Sequence, residues 1–176
     1  MSLLGLVLLY VGAVLFINGL SLLGHIAARE AAVMNLFTGF VSVSASCYNA
    51  FVLADADSVK NAALGLLFGF TYLWVAYNSL TKADGRGLGW FSLFVAITAV
   101  PVFLSEWLAA ATFGQKWLAL NWLAWAVLWF SFFLLDARKH KNLAHPVGYL
   151  AIIQGVGTAW VPGFLLLMGK MPGIGG

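Results

Sequence analysis

The sequence predicts an all-α integral membrane protein in which six helices span the bilayer. Of its 176 residues, 62% are hydrophobic and only 9% are charged, whereas a soluble domain carries about 25% charged residues. The mean hydropathy of +0.95 points the same way. Six apolar runs are also long enough to cross a hydrocarbon core about 30 Å thick, which takes about 20 helical residues.

The six predicted spans follow one another with little chain between them. They cover roughly residues 3–24, 31–54, 61–81, 88–111, 117–135 and 144–169. Because each polar break has only about five to seven residues, consecutive helices must be antiparallel neighbours. The runs are too long and uniform for the alternating strands of a membrane β-barrel. We therefore expect residues 1–176 to form a single membrane domain.

The first run does not have the pattern of a cleaved signal peptide. No basic residue precedes it and no Ala-x-Ala site follows it, although both are typical of secretory signals. The run is long enough to span the bilayer, so we expect a retained first helix.

A faint internal repeat divides the spans into three pairs. Leu4-Gly5-Leu6 recurs as Leu64-Gly65-Leu66, 60 residues later. Val100-Pro101 similarly recurs as Val161-Pro162. Chance matches are common among apolar segments, but internal repeats are also frequent in membrane transport proteins. We therefore interpret the chain as three helical hairpins of similar length.

Basic residues predict the orientation. Six of them fall in the first, third and fifth loops and three on the opposite side: Arg29, Lys82, Arg86, Arg138, Lys139 and Lys141 against Lys60, Lys116 and Lys170. Since cytoplasmic loops carry the excess of Lys and Arg, the odd-numbered loops should face the cytoplasm. Both chain termini should then lie on the external side of the cytoplasmic membrane.

Catalysis and ion transport find little support in the residue pattern. The three histidines, His25, His140 and His145, lie in or beside the odd-numbered loops, so no nucleophile has a base beside it within the membrane. The lone Cys47 cannot form an internal disulfide, and a metal site needs more ligands. No ionisable side chain lies deep in a span, although Glu106 approaches the end of the fourth; an ion path or proton relay usually needs one. We predict no enzyme activity, no metal and no cofactor. A net charge of +3 does not suggest a nucleic-acid partner.

Large side chains form a narrow stripe on each odd-numbered span. At about 100° per residue, each stripe covers an arc of roughly 60°. The stripes are Leu4, Leu8, Val11 and Leu15; Leu64, Phe68, Thr71 and Val75, with Tyr72 beside them; and Leu118, Trp122, Trp125 and Trp129. Such a stripe usually reflects helix packing alone. However, each indole N–H needs a hydrogen-bond acceptor, and alkyl neighbours cannot provide one for a row of stacked indoles. The three stripes could converge on one axis.

An aromatic slot of this kind suits a small, flat, uncharged solute. The solute would slide along ring faces while its amide groups bond to indole N–H, Tyr O–H, Asn or Thr. Ions would pay far more than neutral amides to shed their water there. Buried amides also need partners, and bonding between helices is the more common role for most of them. These amides are Asn18, Asn35, Asn49, Asn78, Asn121 and Gln154.

At these residues the chain resembles the urea and amide channels of the UreI/AmiS type. The matching stretches touch all six spans: LGLVLLYVGAVLFING from Leu4, AVMN from Ala32, GLLFGFTYL from Gly65, WFSLFVAI from Trp90, WLAWAVLW from Trp122 and LAIIQGVGTAWVP from Leu150. The resemblance implies a six-helix protomer with its own pore, assembled as a hexameric ring. It also implies an outer constriction and a second one. The outer constriction would fall on Leu4, Leu8, Phe68, Tyr72 and Trp122, and the second on Val11, Leu15, Trp125, Leu128 and Trp129.

Three departures from the family pattern bear on function. Leu118 stands where the resemblance implies a tryptophan, which could widen the slot for solutes larger than urea. Gln154 stands where it implies a glutamate, so a charge is lost. The predicted external loops, Asp55–Lys60 and Thr112–Lys116, carry no histidine, whereas acid-gated relatives have longer, histidine-rich loops. We predict no gating by external protons.

The resemblance and the stripes together favour a passive channel for urea or short aliphatic amides such as acetamide. The channel would be surrounded by membrane lipid and would supply a cytoplasmic amidase or urease. The alternative is a non-conducting scaffold that docks such an enzyme through its basic loops, notably Arg138–Lys141. A membrane enzyme ranks third.

Overall fold

The computed structural model describes residues 3–174, so the two residues at each end of the predicted 1–176 domain lie outside the described part. Within it, six helices are long and apolar enough to cross a membrane: α1 (Leu3–Leu22), α2 (Ala28–Leu53), α3 (Ala56–Thr81), α4 (Arg86–Ala109), α5 (Phe113–Ala137) and α6 (Lys141–Leu167). The prediction of an all-α membrane protein with six spanning helices is confirmed.

Helices α2 to α5 begin earlier than their apolar runs predict, because their first turns are polar. In α6 the α-helix begins at Ala144, as predicted, after a short 3₁₀ turn at Lys141–Leu143. The Asp55 carboxylate caps α3 by accepting from the backbone N–H groups of Asp57 and Ser58. Thr112 and Gln115 form a reciprocal capping box at the start of α5. The predicted loops Asp55–Lys60 and Thr112–Lys116 were therefore wrong in extent. The connections are residues 54–55 and 110–112, since capped turns satisfy the free N–H groups of a helix start.

Three helix pairs dominate the packing: α2 with α3, α4 with α5, and α1 with α6. The number of pairs matches the prediction, but the pairing is shifted by one helix from the sequence repeat, which would pair α1 with α2. The short even-numbered loops join α2 to α3 and α4 to α5, and α1 closes the bundle against α6.

Two glycines allow α1 and α6 to approach closely. A Cβ at Gly12 would lie 2.6 Å from the backbone nitrogen of Trp160, and one at Gly163 would lie 2.7 Å from that of Leu9. Both distances are shorter than any real contact of this kind, so only glycine fits. Small residues at helix contacts are the usual means of tight packing in membranes.

One wide turn in α6 shapes the functional site. Residues Gly155–Trp160 form a π-helical segment in the middle of this span. A π-helical turn breaks the regular backbone bonding of the helix and is frequently found at functional sites. Carbonyl groups of this segment accept hydrogen bonds from α5.

Candidate functional site

Two cavities enter the helix bundle from opposite ends and meet at a pair of aromatic residues. The odd-loop vestibule, on the side of the first, third and fifth loops, has a volume of about 310 Å³. The even-loop vestibule, on the opposite side, has a volume of about 560 Å³. Phe68 of α3 and Trp125 of α5 line both. These two side chains therefore separate the vestibules.

The three predicted stripes line these cavities. Each of the twelve residues proposed from the sequence as pore-lining borders at least one vestibule. Besides Phe68 and Trp125, the even-loop vestibule is lined by Leu4, Leu8, Val11, Leu118 and Trp122, and the odd-loop vestibule by Leu15, Thr71, Tyr72, Leu128 and Trp129. The structure thus brings them together on one axis, while their role in conduction stays a prediction.

Two of these twelve residues line the opposite end of the path from the end that the resemblance implied. Tyr72 lines the odd-loop vestibule rather than the side of Leu4 and Trp122, and Val11 lines the even-loop vestibule. Position along the helix explains both. Tyr72 lies about 6 Å beyond Phe68 towards the odd-numbered loops, and Val11 lies about 6 Å before Leu15.

The constriction between the vestibules consists of packed rings. The centroid of the Phe68 ring lies 4.7 Å from Trp129, 4.8 Å from Trp125 and 5.9 Å from Trp122, each in an edge-to-face arrangement. Phe68 is 7% exposed and Trp125 is 5% exposed. Edge-to-face contacts are favourable ring geometries, so the constriction is a packed structure and not a loose gap.

The indole N–H of Trp125 is not available to a solute, contrary to the general expectation from sequence. It donates to the Thr158 hydroxyl of α6 at 2.8 Å. Trp122 and Trp129, by contrast, have no protein hydrogen-bond partner for their N–H groups within residues 3–174, and the same holds for the Tyr72 hydroxyl. Free donors therefore belong to residues that line one vestibule each, whereas the indole N–H of Trp125, which lines both, is already bonded.

Sequence reasoning missed Thr158, which lines neither vestibule. The Gly155-Val156-Gly157-Thr158 stretch was visible in the sequence, but glycines in a span predict close packing as readily as a π-helical turn. No side-chain pattern marked Thr158 as the partner of an indole on another helix.

The three predicted supporting amides bond between helices. Asn18 and Asn35 form a reciprocal pair, with N···O distances of 3.0 and 2.6 Å. The Gln154 amide nitrogen donates to the Ala124 carbonyl of α5 at 2.9 Å, whereas its buried side-chain oxygen has no partner. Of the three, only Asn18 also borders a cavity, the odd-loop vestibule.

Charged lining residues lie only towards the ends of the path: Asp84 and Asp136 in the odd-loop vestibule and Glu106 in the even-loop vestibule. Glu106 pairs with Lys60 at 2.6 Å. Asp84 pairs with Lys139 at 2.9 Å, which joins the third loop to the fifth. The hydrogen bond from the Lys139 ammonium holds the pKa of the Asp84 carboxyl below its usual range. Within residues 3–174 no group of His, Cys, Asp and Glu has the arrangement of a metal site.

Comparison with known proteins places this geometry among membrane transporters. A family model described as AmiS/UreI family transporter matches residues 3–170. A Mycolicibacterium smegmatis protein named as an amidate substrates transporter is 48% identical over 167 residues, covering 94% of this chain and 77% of the relative. The acid-activated urea channel of Helicobacter pylori strain J99 is 39% identical over 192 aligned residues, covering 94% and 97% respectively.

Solved structures give the same result. The crystal structure of the Helicobacter pylori urea channel superimposes with a TM-score of 0.82 at 40% identity, over 94% of this chain and 97% of that one. The cryo-electron microscopy structure of that channel in a closed state gives 0.85 at 39% identity, with the same coverage. The described helices therefore share both the order and the arrangement of those in a urea channel.

Proposed function

Because the chain belongs to the AmiS/UreI family of transporters, we propose that it forms a passive channel for urea or short-chain aliphatic amides across the cytoplasmic membrane. The supporting observation is the pair of vestibules that meet at Phe68 and Trp125. A path open from both ends and closed only by side chains suits facilitated diffusion, since it needs no large change of structure.

The lining excludes ions and admits neutral solutes. Between the ends of the path the lining side chains are apolar, aromatic or uncharged polar groups. An ion there would lose its hydration without a compensating charge, which is very costly, whereas a neutral amide loses only hydrogen bonds. The channel therefore carries uncharged molecules without coupling to an ion gradient.

The hydrogen-bonding groups fit a solute with an amide function. On either side of the constriction, the N–H groups of Trp122 and Trp129 and the O–H of Tyr72 can donate to a carbonyl oxygen. Leu118 lines the even-loop vestibule, and a leucine takes up less width than the tryptophan that the resemblance implies there. This extra width favours amides somewhat larger than urea.

The channel conducts without gating by external protons. If the odd-numbered loops face the cytoplasm, the external connections are only residues 54–55 and 110–112, without histidine. The alignment with the acid-activated urea channel covers 192 residues, more than the 176 of this chain. That relative therefore has residues within the aligned region that this chain lacks.

The protomers assemble as a homohexamer in the lipid bilayer, with one path per protomer. The exposed aromatic face of α2, with Phe37, Phe40 and Phe51, can pack against lipid or another protomer. A cytoplasmic amidase or urease would consume the solute that enters.

Stopped-flow light scattering on proteoliposomes tests the proposal. Urea and acetamide should enter much faster than into empty liposomes, at equal rates at neutral and acid external pH, while glycerol should enter slowly. The path itself is tested by Leu118→Cys in a Cys47→Ser background, because Leu118 lines the even-loop vestibule. A thiol reagent should reduce its flux, and a reductant should restore it.

Leu120→Cys is the matched control, since this residue lies on the same helix, is exposed and lines neither vestibule. Its labelling should leave flux unchanged. Solute entry no faster than in empty liposomes would reject the channel. The scaffold that docks an enzyme through Arg138–Lys141 would then become the better hypothesis.

A further inference from the structure

The π-helical segment of α6 gathers hydrogen-bond donors from three successive turns of α5. Trp117 donates to the Gly157 carbonyl at 3.1 Å, Asn121 to the Thr158 carbonyl at 2.9 Å, and Trp125 to the Thr158 hydroxyl at 2.8 Å. Regular helices leave few backbone acceptors free in mid-membrane. The irregular turn thus supplies acceptors where α5 presents its donors.

Thr158 links this contact to the constriction through one hydroxyl group. Its O–H donates to the Gln154 carbonyl at 2.6 Å, which fixes the orientation of the hydroxyl. The oxygen then accepts the Trp125 indole N–H. One edge of the indole is held by α6, while the ring packs against Phe68 at an interplanar angle of 82°.

We propose that Thr158 is a positioning residue that sets the width of the solute path by fixing the Trp125 ring. This inference rests on the proposed channel function. An indole held at its N–H cannot turn about its side-chain bonds without losing the hydrogen bond, which contributes about 1 kcal/mol. The aperture beside Phe68 is therefore constant, and wide solutes are excluded.

The ratio of two permeabilities separates this role from a general structural one. A residue needed only for folding would lower the flux of all solutes in equal proportion. A residue that fixes the aperture would instead change the flux of a wide solute relative to a narrow one. Isobutyramide and acetamide form a suitable pair, because both carry the same amide group and differ in the width of the alkyl group.

The test compares Thr158→Val with Thr158→Ser in proteoliposomes. Valine has nearly the same shape as threonine but cannot accept the indole N–H, whereas serine can. We expect the isobutyramide to acetamide ratio to rise about fivefold in Thr158→Val, which corresponds to about 1 kcal/mol, close to the net contribution of one neutral hydrogen bond. Thr158→Ser should stay within about twofold of the wild type. Thr98→Val on α4, which removes a comparable threonine hydroxyl away from both vestibules, should also leave the ratio unchanged.

A spectroscopic measurement keeps the inference distinct from the proposed function. Ultraviolet resonance Raman bands report the hydrogen bonding of indole N–H groups, and Thr158→Val but not Thr158→Ser should weaken that of one tryptophan. Thr158→Ala provides a second hydroxyl-free variant if the valine variant does not assemble. Absence of acetamide flux in the wild type would reject the channel itself. An unchanged ratio or an unchanged indole band in a folded hydroxyl-free variant would overturn the role of Thr158.

Discussion

Removing the Phe68 ring should join the two vestibules into one continuous path. In Phe68→Ala the barrier between cavities of about 310 and 560 Å³ loses one of its two shared side chains. We expect glycerol, which the wild type should exclude, to enter at a rate comparable with acetamide. Water permeability should rise as well, because the hydrophobic ring that excludes water from the constriction is replaced by a methyl group.

The cost in stability follows from the contacts of the ring. Phe68 makes three edge-to-face contacts with tryptophans, each contributing about 0.5–1.5 kcal/mol. A Phe→Ala change in a closed core costs about 3–5 kcal/mol because an empty cavity remains. Water from the adjoining vestibules can fill the space here, so we expect a loss of about 2–4 kcal/mol, which a protein of this size should survive.

Phe70→Ala is the matched control, because Phe70 lies on the same helix, is 48% exposed and lines neither vestibule. Stopped-flow light scattering with glycerol, acetamide and water would measure selectivity, and thermal unfolding in detergent would measure stability. If folded Phe68→Ala protein still excludes glycerol, or if Phe70→Ala admits glycerol equally, Phe68 is not the barrier and the path lies elsewhere.

Three further predictions concern the helix contacts, the loops and the caps. Gly12→Ala should lower the free energy of unfolding by about 1–3 kcal/mol through overpacking, which a lower thermal midpoint would show. Gly157→Ala is the control, since nothing lies within 4 Å of a Cβ added there. The Lys139 ammonium holds the pKa of Asp84 below its usual range, so this ion pair stabilises the fold above the unfolded pKa of about 3.9 and is lost only as pH falls further. Asp84→Asn should therefore leave the pH dependence of the thermal midpoint between pH 7 and 5 unchanged. Thr112→Ala removes a capping box and should cost about 1 kcal/mol in an unfolding titration.

The spans and stripes were predictable because each is set by a single helix. Length and apolar composition define a span, and the spacing of Leu118, Trp122, Trp125 and Trp129 defines a stripe without any knowledge of its neighbours. Helix starts were less predictable, because Asp55 and Thr112 are polar residues that continue the chain into a helix by capping it. A search for apolar runs assigns such residues to loops.

The parts of the site that depend on two helices were not predictable. The indole N–H of Trp125 donates to the hydroxyl of Thr158, 33 residues away. Thr158 lies in a π-helical turn that has no unique sequence signature. The shifted helix pairing has the same origin, because the contact of α1 with α6 joins opposite ends of the chain. Periodicity gives the direction of a side chain, and only the assembled bundle shows what that side chain meets.

The Asn18–Asn35 pair allows interhelical bonding to be distinguished from solute contact. Asn35 is fully buried and also donates to the Ala31 carbonyl at 2.8 Å, whereas Asn18 is half-buried and borders the odd-loop vestibule. Asn18→Leu leaves the Asn35 side-chain oxygen buried without a donor. Asn35→Leu leaves Asn18 able to turn towards water. We therefore expect Asn18→Leu to destabilise the protein more than Asn35→Leu, although Asn18 is the more exposed residue.

The double variant completes the test, because replacing both partners removes the unpaired group and can be nearly neutral. The thermal midpoint of Asn18→Leu with Asn35→Leu should lie above that of Asn18→Leu alone. The coupling energy should be about 0.6–1.7 kcal/mol, as for other hydrogen bonds between membrane helices. Additive losses in this cycle would show that the two amides do not stabilise each other. A stable double variant with altered urea or acetamide flux would instead assign Asn18 to the solute path, because α1 and α2 would then hold together without the pair.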